Sequence, residues 1–138
     1  MRIAYLTAAF LFCSSLNAVA ASTLLPEDHP LLGVWKWTTP HSDCSEVYNF
    51  KSNGQLLFSS GDEDGVSEFD VAVKPSLSGF YQFTNRVIAD NGKKDCRGQA
   101  GEVGVNTVIY AYFLPTSNQM MMCYKETLDS CFGPLTHQ

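Results

Sequence analysis

The chain has 138 residues and a formal net charge of −5, with 45% hydrophobic and only 17% charged residues. Its length predicts one domain with a single buried core. The acidic balance argues against a phosphate-backbone binder, which needs Lys and Arg clustered on one face, and 10 Gly with 6 Pro are too few for a low-complexity chain.

Residues 1–20 read as a secretory signal peptide. Arg2 supplies the positive start, Ile3 to Phe12 the apolar stretch, and Ala18-Val19-Ala20 the small-x-small cleavage form. Leu11 and Phe12 precede Cys13 where a lipoprotein signal needs small residues, so no lipid anchor is expected. The stretch is too short to span a bilayer, and no stop-transfer segment follows. The expected mature chain, residues 21–138, is therefore a periplasmic or secreted protein, with bacterial export favoured. Cleavage removes Arg2 and leaves the remainder one unit more acidic.

It also leaves four cysteines, Cys44, Cys96, Cys123 and Cys131. An even count in an exported chain implies two disulfides. Cys123 and Cys131 flank a predicted turn and are expected to pair, and by elimination Cys44 pairs with Cys96. A zinc site is not expected, because there is no C-x-x-C pair and no His at ligand spacing.

Residues 21–31 form a lead-in without apolar periodicity. From Leu32 the chain alternates with period two, the mark of half-buried strands. Gly33, Trp35 and Trp37 share one parity. Tyr48 and Phe50 share a face of the next strand, over 46–50. Ser52-Asn53-Gly54 is a hairpin signal, and Gln55 to Ser59 returns. Ser60 to Gly65 reads as a polar turn, in which Asp62-Glu63-Asp64-Gly65 is a solvated acidic tip: it lacks the rest of a calcium-loop frame. Ser67 to Val73, Phe80 to Ala89, Val105 to Leu114, Gln119 to Lys125 and Cys131 to Thr136 complete the set. Val105 to Leu114 is apolar on both faces, so one face lines an interior and the other is covered by the lead-in, by a loop, or by a partner. In Met120-Met121-Met122, the first and third residues point together into the core.

Eight short strands with tight turns and no helical period predict an all-β fold, an eight-stranded antiparallel up-and-down barrel stapled by two disulfides. Such a barrel is just wide enough to be filled by side chains or to hold one small ligand. Rings on nearly every strand, among them Trp35, Trp37, Tyr48, Phe50, Phe58, Phe69, Tyr81, Phe83, Tyr110, Tyr112, Phe113 and Tyr124, predict an aromatic interior, either full or hollow.

Signals for catalysis are weak. His29, His41 and His137 lie in the lead-in, a loop and the C-terminus, there is no G-x-S-x-G elbow, and all four mature cysteines are expected to be oxidised. The chain is read as non-enzymatic, without metal or cofactor; a small hydrolase with carboxylates brought together by the fold is the third alternative. Lys93, Lys94 and Arg97 concentrate positive charge in the long loop 90–104, which Cys96 ties toward Cys44. That loop is expected to shape one entrance of the barrel, with the three cations drawing an anionic group.

Gly33-Val34-Trp35 at the start of the first strand resembles the G-x-W opening of the lipocalins and the wider calycin group. The resemblance implies an eight-stranded barrel, closed at one end by Gly33 and Trp35, with a small apolar ligand often inside. The chain also resembles small periplasmic inhibitors of secreted bacterial metalloproteases. Those barrels have a short trunk, here 21–32, then G-x-W, then a cysteine, here Cys44; the trunk enters the protease cleft. The expected function is a lipocalin-like binding protein for a small apolar ligand or envelope component, with Tyr48, Phe50, Tyr110, Tyr112, Lys93, Lys94 and Arg97 as candidate contacts. The alternative is an inhibitor of a secreted or envelope enzyme. A monomer is expected.

Overall fold

The computed structural model describes residues 25–115 and 118–138. The predicted signal, residues 1–20, lies outside them. Eight strands follow in order: β1 Gly33–Thr38, β2 Ser45–Phe50, β3 Gln55–Ser60, β4 Glu63–Val71, β5 Phe80–Asp90, β6 Asn106–Phe113, β7 Gln119–Cys123 and β8 Cys131–His137. Each pairs antiparallel with the next, and β8 returns to β1, giving a closed barrel. The closing seam is short, with Trp35 opposite His137 and Lys36 opposite Thr136. A 3-10 turn, Leu128–Ser130, precedes β8. Among the described residues no helix is long and apolar enough to cross a membrane.

Both expected disulfides form, Cys44–Cys96 and Cys123–Cys131. The first closes a long loop, with a sequence separation of 52; the second ties β7 to β8, where its cysteines are register partners.

The alternating pattern becomes an inside and an outside. Trp35, Phe50, Leu56, Phe69, Val71, Phe83, Ala111, Met120, Met122 and Leu135 form the core. Phe50 sits at its centre, with Phe69 and Phe83 edge-on at 5.1 Å and 5.6 Å between ring centroids, the geometry that ring quadrupoles favour.

The lead-in closes one end. Leu31 is fully buried, and its carbonyl accepts the Trp35 indole N–H at 2.9 Å. His29 is also buried. Its Nδ1 accepts the Leu31 backbone N–H at 3.2 Å. That leaves Nε2–H to donate to the Ala72 carbonyl at 3.1 Å. On the other side of Trp35, the His137 ring stands edge-on at 4.7 Å and lies against Gly33, whose φ is +110°. A Cβ on Gly33 would collide with that ring, so only glycine opens the strand here.

The structure moves several predicted boundaries. β4 starts at Glu63, four residues before the expected Ser67, and stops at Val71 rather than Val73. The acidic segment is therefore mostly strand. The turn is only Gly61-Asp62, with Ser60 facing Glu63 in register, and Glu63 is buried rather than solvated. Propensity misleads at this point because Glu, Asp and Gly are poor strand formers, while cross-strand pairing sets the outcome. β7 stops at Cys123, short of the expected Lys125, and β8 runs one residue further, to His137. On the outer face of β6 Val108 is exposed, while Tyr110, Tyr112 and Leu114 are half-buried.

Candidate functional site

The end opposite Trp35 is not filled. A cavity of about 290 Å³ opens there, inside the barrel mouth. Its apolar wall comes from inward positions of several strands: Trp37 on β1, Tyr48 on β2, Leu56 and Phe58 on β3, Val87 on β5 and Phe132 on β8. Trp37 and Phe132 lie 5.1 Å apart between centroids. Phe58 faces Gly65 across β3 and β4, and its ring folds over that glycine, where any Cβ would meet it. The missing side chain lets the ring lie back against the wall and leaves the space open.

The upper wall is polar, and it carries three acids, Glu46, Glu63 and Asp95, against one cation, Arg97. Glu46 on β2 is buried. Its carboxylate accepts the Tyr48 hydroxyl at 2.5 Å and the Ser60 hydroxyl at 3.0 Å. Burial, and then the neighbouring Glu46 charge, push the Tyr48 phenol well above its ordinary value, so Tyr48 stays a donor. Glu63 on β4 also lines the cavity. Burial raises its carboxyl from 4.5 to about 7, with further upward pressure from Asp90 and Asp95, while the Gly101 backbone N–H pulls the other way. The Glu63 and Asp90 carboxyls converge beneath Gly101, where a Cβ would strike both. Asp90 Oδ2 is buried and has no hydrogen-bond partner among the described residues. A proton on Glu63 supplies the missing donor.

The long loop forms the remaining edge. Cys96 is held to Cys44 by the disulfide, and its backbone N–H donates to Ser60 Oγ at 3.0 Å. Asp95, Arg97 and Gly101 thereby reach the mouth. Asp95 accepts backbone N–H groups from Gln99 and Arg97 at 2.8 Å and 2.9 Å. Burial works against its ionisation, but these bonds and the Arg97 guanidinium outweigh it and hold the carboxyl below its ordinary value. Among the described residues the one ion pair is Arg97–Asp95, 3.3 Å apart.

The candidate contacts divide accordingly. Tyr48 and Arg97 line the cavity. Phe50 lies beneath it, in the packed core. Tyr110 and Tyr112 alternate with the inward Ile109, Ala111 and Phe113 and so face outward; Tyr112 packs on Phe80 at 5.0 Å between centroids. Lys93 and Lys94 are exposed and line no part of the cavity. Positive charge is therefore not concentrated at the mouth: one cation reaches it, and that cation is paired with Asp95.

Glu46, Glu63, Asp90 and Asn85 were not among the expected site residues. Glu46 had a signal, because it shares its parity with Tyr48 and Phe50. Glu63 shares its parity with Phe69 and Val71, but only once β4 is known to begin at Glu63. Among the described residues no group of three or more His, Cys, Asp or Glu side chains is placed to hold a metal ion. No protein-family model, curated protein or solved structure matches the chain.

Proposed function

We propose that the protein is an exported, non-enzymatic binding barrel of lipocalin-like type, which holds one small ligand with an apolar body in its mouth. The observation that carries this reading is the cavity of about 290 Å³, walled by Trp37, Phe58 and Phe132 above a fully packed core. Concave, mostly apolar sites with a few convergent polar groups are where small ligands bind. The two disulfides suit an oxidising compartment, and the predicted signal peptide suits export. The inhibitor alternative is less well supported, because residues 29–32 act as a plug on the barrel instead of a free trunk: Leu31 and His29 are buried and bonded to Trp35 and Ala72.

Native mass spectrometry of the protein purified from its source tests the reading. A mass above that of the disulfide-bonded chain, lost on mild activation, is the expected result. Bare protein from the source, together with no change in Trp37 fluorescence from small aromatic probes, would overturn it.

A further inference from the structure

Resting on that reading, we propose that the mouth cavity selects a protonated amine on a compact aromatic or aliphatic body, its ammonium held between Glu46 and Glu63. Four observations support the proposal. First, the charge balance inside the cavity is negative. Arg97 is paired with Asp95 and its side chain is 68% exposed, while the hydrogen bonds that Glu46 accepts come from hydroxyls. An anionic head group would face Glu46, and Glu63 once it ionises, and be repelled.

Second, one group of the wall is an acceptor without a donor. Asn85 lines the cavity, and its Oδ1 has no partner among the described residues; Asp90 Oδ2, behind Glu63, depends on a proton on Glu63 for its donor. A buried acceptor left unmatched is costly. An ammonium brings three donors and no acceptor, which is the complement of this wall. Third, the apolar wall is mostly aromatic. Trp37, Tyr48, Phe58 and Phe132 line it beside Leu56 and Val87, and aromatic rings attract a cation and also take up an apolar body. Fourth, among the described residues no three acids lie together as metal ligands would, and the apolar wall suits an organic cation.

The acid pair adds a pH dependence. Glu63 is faced by Asp90 from β5, by Glu46 across β3, and by Asp95, Arg97 and the Gly101 N–H from the loop. Without ligand, a proton on Glu63 supplies the donor for Asp90. An arriving ammonium takes over that role, so Glu63 gives up its proton. Binding then releases a proton at pH below about 7 and tightens as pH rises through that value.

The test uses three probes with the same ring: 2-phenylethylamine, 2-phenylethanol and 3-phenylpropionate. Each is titrated against the oxidised protein by calorimetry, in two buffers of different ionisation enthalpy. The amine is expected to bind about ten-fold or more tightly than the alcohol, the carboxylate more weakly than both, and amine binding to release a proton at pH 6. In Glu63→Gln, with its fold checked by circular dichroism, the amine-to-alcohol ratio should fall and the proton release should vanish. Alcohol or carboxylate binding as tight as the amine overturns the charge selection and leaves the ligand-binding reading standing. The same holds if no probe binds while source protein retains a neutral or anionic molecule. No probe binding, together with no retained molecule, overturns both.

Discussion

The two ends of this barrel are built from the same kinds of residue and do opposite things. At the Leu31 end, rings and polar groups are matched to one another. The Trp35 indole, both His29 nitrogens and the His137 ring each have a partner. At the Glu46 end, Trp37, Phe58 and Phe132 stand around a space, Asn85 keeps an acceptor without a donor among the described residues, and Asp90 depends on a proton on Glu63. A fully satisfied polar network rigidifies one structure. The contrast supports the open end as the proposed binding end.

The comparison breaks first at Trp35. It is only 3% exposed and is gripped on both sides. Trp35→Ala should therefore cost about 3–5 kcal/mol, measured by denaturant unfolding of the oxidised protein. Trp37→Ala should cost clearly less, because its ring already borders empty space. Equal costs would mean that the two ends are packed alike.

A pair of glycines sharpens the same point. Gly33 and Gly65 both have a ring where a Cβ would go. At Gly33 the ring is His137, held by Trp35 and by the Leu32 carbonyl at 3.3 Å, and the backbone φ is +110°. Gly33→Ala should cost about 2–3 kcal/mol. At Gly65 the ring is Phe58, which can swing into the cavity, so Gly65→Ala should cost under about 1 kcal/mol while shrinking the space for a ligand. Thermal unfolding gives the first comparison and probe titration the second. A larger loss at Gly65 than at Gly33 would overturn it.

The closed end was far more legible in the sequence than the open one. Period-two alternation around Trp35, Phe50, Phe69 and Phe83 marks an inward face, and the barrel and both bridges follow from pattern and cysteine parity. The mouth was harder to read for a physical reason. A buried carboxylate breaks the rule that charge lies outside, so Glu46 reads as the polar beginning of a strand and Glu63 as part of a turn. Their burial depends on partners far away in sequence: Ser60 for Glu46, and Asp90 and Gly101 for Glu63. Tyr110 and Tyr112 fail in the opposite direction. β6 is apolar on both faces, so its pattern alone does not choose which face is the interior.

The smallest expected effect is also the one that belongs to the open end alone. The Glu63 carboxyl is raised to about 7 in the folded protein, from an ordinary value of 4.5, by burial and then by Asp90. The folded chain therefore binds more protons than the unfolded chain between those two values. Stability then falls as pH rises across that window, and levels off above about pH 7. This is the reverse of a carboxylate stabilised by a cation, such as Asp95, whose contribution is lost as pH falls. Glu63→Gln removes the titration while keeping the shape and a donor for Asp90. The variant should melt close to the unsubstituted protein at pH 4.5 and a few degrees above it at pH 8. If Glu63→Gln melts lower than the parent at pH 8, the Glu63 carboxylate is stabilised in the folded mouth, and the acid pair with Asp90 is not the feature that sets the two ends apart.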